Sequence, residues 1–383
     1  MKRRIAVVVG SRANYSSIKS VMQAIDEHDD LELKVIAMAS AILDRYGAVV
    51  EHIKSDGFSI DASLNILVEG ETPMTMAKSA GLGLIEMPTV INQMSPDIVV
   101  TVGDRFETVS TALTAAMMNI PLAHTMGGEV SGTIDESLRH AITKLSHIHF
   151  PACEDAANRI ISMGEDKGYV FNHGCPRIDL VKNILDNNES VTEEELKGGV
   201  GDSIDLSKPF LLVSQHPVTT EYGHGQEQIL ETLKACHELD IQTIVLWPNA
   251  DAGSSDIARG IRKWREQGLA KKMHFIKNLP IDIYVKLMKK TSCLIGNSSS
   301  GIREGAYIGT PVVNIGTRQT ARQRGRNVID VDNTCSDIIC GIKSQLERGP
   351  YDAEPIYGDG KAGVAIANTL STVNVDVQKR ITY

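Results

Sequence analysis

The chain has 383 residues, enough to bury two cores of about 150–200 residues each rather than a single one. With 42% hydrophobic and 23% charged residues the composition is that of a globular protein and excludes a disordered one. A formal net charge of −9 excludes a broad nucleic-acid surface and confines any polyanionic partner to a small molecule in a local basic pocket.

The chain starts MKRRIAVVVGSR, whose apolar run is too short for a secretory leader and ends in a Gly-Ser-Arg turn. IAVVVG (5–10) reads as a buried strand, and in the following YSSIKSVMQAIDEH the residues Ile18, Val21, Met22 and Ile25 form one apolar helical stripe. Buried strands are also predicted in ELKVIAMA (32–39), DIVVTVG (97–103), IPLAHTM (120–126) and HIHFPA (147–152). The acidic stretch at 185–209 interrupts this pattern near a domain junction. It resumes in FLLVSQHP, IQTIVLWPN, HFIKNLP, SCLIGNSSSG and TPVVNIG. Strand alternating with helix predicts an α/β protein of two Rossmann-like domains facing across a cleft, with the site at the carboxyl ends of the strands. No run is long enough to span a membrane. Cys153, Cys175, Cys236, Cys293, Cys335 and Cys340 lack CxxC spacing, as in a reducing compartment, and a cytoplasmic protein is expected.

Chemically rich residues follow the predicted strands: Ser11, Arg12 and Asn14 after the first, Asp104 and Arg105 after DIVVTVG, Glu129 after IPLAHTM. The second half repeats this with Gln215 and His216, Asn249 and Asp251, Asn297 to Ser299, and Arg318. Loop residues carry no packing duty, so this recurrence points to a site. GNSSSGIREGA (296–306) opens a helix whose N–H groups and hydroxyls suit phosphate, with Glu304 one or two turns on for ribose hydroxyls. An ordinary serine cap gives the same pattern. With Arg12, Arg105 and Arg318 at other strand ends, a diphosphate pocket is favoured. No GxGxxG or GxxxxGK[ST] occurs, which removes the dinucleotide fingerprint and the Walker loop. His124, His140, His147 and His149 form no zinc spacing, and no metal is expected.

Residues 124–140, HTMGGEVSGTIDESLRH, place Glu129 and Asp135 about a Ser-Gly-Thr turn, with Arg139 one helical turn beyond Asp135 and able to pair with it. Asp135 reads either as a helix cap or, with Glu129 and Asp104, as part of an acid/base set whose members divide proton donor from acceptor.

Taken together, SRANYS, GDRFE, GGEVSGTIDESLRHAITKLSH, QHPVTT, WPNADAGS, GNSSSGIRE and GTRQTARQRGRNV resemble the hydrolysing UDP-N-acetylglucosamine 2-epimerases of sialic acid and legionaminic acid biosynthesis, over nearly the whole chain. The resemblance implies a GT-B-type glycosyltransferase architecture with residues 1–176 plus 366–383 in a sugar-handling catalytic domain and 177–365 in a UDP-binding domain. It implies that His216, Asn249, Asp251, Ser298, Ser299, Glu304 and Arg318 hold UDP, joined by Arg12, Ser16 and Arg105, and that Asp104 and Asp135 serve catalysis, with Glu129 and His216 as the further candidates for the proton work. It further implies a UDP-sugar substrate, no cofactor, and a homodimer or homotetramer. The reaction would expel UDP with loss of the C2 proton to give a 2-acetamidoglucal, which water converts to N-acetylmannosamine. Relatives carry His-x-Glu-Gly-Gly-Glu and His-Gly-Asp-Arg, whereas this chain has Met126 in place of that glutamate and Val102 in place of that histidine. A more apolar pocket suits a 6-deoxy sugar such as UDP-N,N'-diacetylbacillosamine; the long shared motifs favour UDP-N-acetylglucosamine. A UDP-sugar glycosyltransferase shares the architecture, and a non-catalytic sensor would bind without turnover.

Overall fold

The computed structural model of the protein describes residues 2–70, 72–131, 134–187, 189–248, 253–277 and 279–382. Two compact units divide it: Met1–Val130, Ile134–Leu180 and Tyr357–Tyr383 make one, and Val181–Ile356 makes nearly all of the other.

In the first unit the strands are β1 (Arg3–Val9), β2 (Leu31–Met38), β3 (Ala62–Leu64), β4 (Ile98–Val102), β5 (Leu122–Thr125) and β6 (Ile148–Phe150). Their Val- and Ile-rich sequences are buried because helices cover both faces of a parallel sheet. These helices are α1 (Arg12–Asp26), α2 (Val49–Ser55), α3 (Pro73–Met94), α4 (Phe106–Met117), α5 (Ile134–Leu145) and α6 (Glu154–Ser162). The predicted stripe on α1 is confirmed: Ile18, Val21, Met22 and Ile25 are all fully buried. The strand order is β3-β2-β1-β4-β5-β6 with parallel pairing throughout. The chain therefore leaves β1 towards one edge and β4 towards the other, and the loops after these two strands diverge to open a crevice at their carboxyl ends.

α7 (Pro176–Asp186) runs from the first unit into the second, where β7 (Val200–Gly201), β8 (Leu211–Ser214), β9 (Thr243–Leu246), β10 (Met273–Ile276), β11 (Cys293–Gly296), β12 (Val312–Ile315) and β13 (Val328–Val331) form a sheet. The order β13-β12-β11-β8-β9-β10 mirrors the first sheet's topology, with its reversal between β8 and β11. β7 adds an antiparallel edge beside β10. Helices α8 (Gly225–Glu238), α9 (Ser254–Glu266), α10 (Ile281–Lys290), α11 (Ser299–Ile308) and α12 (Cys335–Arg348) flank it. The last helix, α13 (Ala362–Thr372), belongs to the first unit and packs on α1, so closely that a Cβ on Gly363 would lie 2.6 Å from the Ser20 carbonyl oxygen. Among the described residues no helix is long and apolar enough to cross a membrane.

Candidate active site

The crevice beside β1 and β4 is built from side chains that bind the two strand ends together. Ser11 caps α1 by accepting a hydrogen bond from the Asn14 amide, 3.2 Å. Asn14 accepts from the Gly10 amide at 3.2 Å and donates to the Val102 carbonyl at 3.3 Å, so one side chain spans the reversal point. Beneath it Glu107 is fully buried and accepts from Arg105 Nε at 2.7 Å. A Cβ on Gly10 would stand 2.6 Å from Glu107 Cγ, so the close approach of β1 to this carboxylate needs glycine. Arg12 and Ser16 lie on the first turns of α1, and the Ser16 hydroxyl accepts from Arg177 at 2.7 Å.

The stretch after β5 forms a tight turn with Met126 at φ 62° and Gly128 at φ 73°. A Cβ on Gly127 would lie 2.8 Å from His124 Nδ1, and one on Gly128 would collide with the Ala156 carbonyl. The turn thus requires both glycines, and it delivers Glu129 into the interior at 3% exposure. Arg139 of α5, 1% exposed, seats its fork on Asp104: Nε donates to Oδ2 at 2.8 Å and Nη2 donates to the same oxygen, while Nη1 donates to the Glu129 carbonyl at 2.5 Å. The spacing expectation paired Arg139 with Asp135. Here α5 starts at Ile134, so Asp135 belongs to its first turn, and the guanidinium turns inward to the end of β4, with Asp135 adding attraction through its charge. Burial works against the Arg139 charge, but Asp104, Glu129 and Asp135 outweigh it and hold its pKa above the usual arginine value.

His124 is wholly enclosed, and burial lowers its pKa to about 4 despite the neighbouring Gly103 carbonyl and Asp104. The neutral ring donates from Nε2 to the Gly103 carbonyl at 2.7 Å, which leaves Nδ1 to accept from the Thr143 hydroxyl at 3.3 Å. Gly103 immediately precedes Asp104, so this histidine fastens the loop that presents the carboxylate to α5.

In the second unit the ends of β8 and β11 are joined by a reciprocal pair: the His216 amide donates to Asn297 Oδ1 at 2.7 Å, and Asn297 Nδ2 donates to the His216 carbonyl at 2.9 Å. Gly296, at φ 130°, sits where a Cβ would strike the Ser214 carbonyl. Ser298 caps α11, accepting from the Ser300 amide. The Ser299 hydroxyl accepts from Arg303 Nη2 at 2.9 Å, and Glu304, 1% exposed, lies further along the same helix. Arg318 Nη1 and Gln319 Nε2 donate to the Asn297 carbonyl at 3.2 and 2.9 Å, bringing the arginine to the start of α11. His216, Ser298, Ser299 and Arg318 are therefore grouped at the carboxyl ends of the central strands β8 and β11, with Glu304 further along α11; Asn249 and Asp251 lie outside the described residues.

Among the described residues no three His, Cys, Asp or Glu side chains are placed to hold a metal ion. Cys153, Cys175, Cys236, Cys293 and Cys335 are buried, Cys340 is exposed, and none of the six is in a disulfide. Sequence reasoning did not foresee the parts of Glu107, His124 and Arg177. Glu107 stands inside the quoted GDRFE, but only its zero exposure reveals that it anchors Arg105.

Residues 23–371 match the family described as UDP-N-acetylglucosamine 2-epimerase. A UDP-N,N'-diacetylbacillosamine 2-epimerase (hydrolyzing) of Legionella pneumophila is 33% identical over 378 residues, covering 99% of this chain and 98% of that protein. A UDP-N-acetylglucosamine 2-epimerase of Neisseria meningitidis serogroup B is 29% identical over 386 residues, with 99% and 98% covered. The structure of UDP-GlcNAc 2-epimerase from Neisseria meningitidis bound to UDP-GlcNAc superposes with a TM-score of 0.78 at 19% identity, covering 96% of this chain and 99% of that one, a likeness of fold.

Proposed function

We propose, for a chain that belongs to the UDP-N-acetylglucosamine 2-epimerase family, the hydrolysing form of the reaction: UDP-N-acetylglucosamine and water give N-acetylmannosamine and UDP. The observation that carries the reading is the gathering of Asp104, Glu129 and Asp135 around the buried Arg139 guanidinium.

The C2 proton of the sugar is barely acidic, so the C1–O bond must break ahead of proton loss. Its electron pair leaves with the diphosphate, the ring carries positive charge, and a carboxylate removes the C2 proton to form the C1–C2 double bond. Water then adds its oxygen at C1, and a proton returns to C2 from the opposite face, giving the manno configuration. Asp104, Glu129 and Asp135 supply the proton handling and the negative field that steadies the ring cation. Arg139 stays charged and fixes where these groups sit rather than exchanging protons. Among the groups proposed to bind UDP, Ser298, Ser299, Arg318 and His216 cluster at the start of α11, where backbone N–H groups and the helix dipole favour phosphate, and Glu304 lies further along the helix, where it is proposed to meet the ribose. Within the first unit, Arg12, Ser16 and Arg105 are proposed as UDP-binding groups in their own right, two cations and a hydroxyl at the ends of β1 and β4.

Incubation with UDP-N-acetylglucosamine in deuterated water, followed by NMR, tests this. The expected result is free UDP and N-acetylmannosamine carrying deuterium at C2, with no acceptor added. Retained protium at C2, or a strict need for an acceptor, overturns it, the latter in favour of a glycosyltransferase. A second reading, the 6-deoxy substrate UDP-N,N'-diacetylbacillosamine, is favoured by Met126, an apolar side chain at 8% exposure where relatives keep a carboxylate. The same assay with that nucleotide separates the two.

A further inference from the structure

We propose that Arg177 is a second diphosphate-binding residue, set beside Arg12 at the first turn of α1 to take up the charge that a nucleoside diphosphate gains as it leaves the sugar. This rests on the reading of the site as one that expels UDP.

The placement of Arg177 is rigid. It follows Gly174, at φ 85°, whose would-be Cβ stands 2.7 Å from Gly358 Cα, and Cys175, whose amide donates to the Tyr357 carbonyl at 2.7 Å. Two residues on, Asp179 accepts from the Ala362 and Gly363 amides at 3.0 and 2.6 Å. The start of α7 is thereby pinned to the segment that leads into α13, and the arginine side chain is directed onto α1. Its Nη1 donates to Ser16 Oγ at 2.7 Å, and the Ser16 hydroxyl in turn donates to the Arg12 carbonyl at 3.0 Å.

Arg12 lies close enough to feel this second guanidinium. Its pKa is held below the usual arginine value, first by burial and then by the Arg177 charge. Three sources of positive potential meet here: two guanidiniums and the N-terminus of a 15-residue helix. Like charges brought together out of water raise each other's energy, and an anion offsets that cost. A polyphosphate fits the planar forks of arginine better than a single carboxylate does. In a UDP-sugar the diphosphate carries two negative charges; cleavage of the sugar C1–O bond leaves the electron pair on the β-phosphate oxygen and adds a third. A second arginine therefore contributes more to the departing group than to the bound substrate.

Calorimetric titration of the full chain with UDP, alongside ligand-observed NMR with uridine, tests the assignment. Arg177→Gln is expected to weaken UDP binding by ~10- to 100-fold, the range of a charge-assisted hydrogen bond, and to leave uridine binding unchanged. In turnover it should lower kcat more than it raises KM, and Arg177→Lys should recover part of the loss by restoring the charge. Equal weakening of UDP and uridine, or no recovery with lysine in a folded variant, marks a structural arginine and overturns the proposal. Undiminished UDP affinity in Arg177→Gln overturns it while leaving the proposed reaction standing. Failure of the unaltered protein to bind UDP or turn over overturns the functional reading itself.

Discussion

Met126 stands in a left-handed conformation, φ 62°, at the place that similar enzymes give to a glutamate, and three residues later Glu129 enters the interior. A carboxylate so enclosed is costly unless it is used or neutralised, and the Arg139 charge lies in its neighbourhood. If Glu129 carries the proton transfer that the missing glutamate performs elsewhere, Glu129→Gln should reduce turnover by ~100- to 10,000-fold while UDP binding, measured by calorimetry, stays within about threefold. A near-normal rate would assign Glu129 to local packing and leave the protons to Asp104 and Asp135. Met126→Glu, which restores a carboxylate, should shift preference between the 6-hydroxy and 6-deoxy substrates. Unaltered rates on both would remove Met126 as a determinant of specificity.

At the scale of elements, β4, β5 and α5 form one assembly whose joints are His124 and Arg139. His124 titrates near 4 in the folded state against 6.5 unfolded. A depressed folded pKa means that the unfolded chain takes up the proton first, so the stability associated with the neutral ring is present above 6.5 and lost as pH falls through 4. The span corresponds to about 3 kcal/mol. Urea unfolding between pH 7 and pH 4 should show this loss in the unaltered protein and a shallower slope in His124→Asn; identical slopes would refute it. Short apolar runs, most of them rich in Val and Ile, made ten of the thirteen strands among the described residues readable from sequence, because a strand covered on both faces is mostly apolar along its length. The three that escaped are edge strands. Ala62–Leu64 is three residues long, Val200–Gly201 is exposed within an acidic stretch, and Val328–Val331 is half exposed with an aspartate inside it. The site was readable as residue types at strand ends. Its wiring was not, because Arg139 reaches a partner 35 positions away and His124 one 21 away, contacts that only the sheet order creates.

At the scale of the whole molecule, the chain's end returns to the unit that holds its beginning and is fastened there by charge. Arg3 donates to the Leu370 and Val373 carbonyls at 2.7 and 2.8 Å, holding the end of α13 beside the start of β1. Further along, Lys379 Nζ pairs with Glu165 at 2.6 Å and donates to the carbonyls of Lys144, at 2.8 Å, and Ser146, at the carboxyl end of α5 where a cation complements the helix dipole. His147 donates from Nε2 to the Val377 carbonyl at 3.1 Å. Burial pushes the Glu165 pKa up, but hydrogen bonds from His149, Lys144 and Lys379 outweigh it and bring it to about 2, below its ordinary 4.5. Its contribution is therefore complete above 4.5 and disappears as pH falls through 2. Because α5 carries Asp135 and Arg139 at and beyond its first turn, loosening its far end should be felt in the site. Lys379→Met is expected to destabilise the first unit by about 1–2 kcal/mol at pH 7, the cost of one charge-assisted contact to a carboxylate that Lys144 and His149 still serve, and to lower kcat without altering UDP affinity. The double variant Lys379→Met, Glu165→Gln should lose less than the sum of the single changes, since the second change removes the carboxylate with which Lys379 pairs. Additive losses, or a destabilisation by Lys379→Met that is as large at pH 2 as at pH 7, would show that the tail is held by packing alone and that Glu165 plays no part in fastening it.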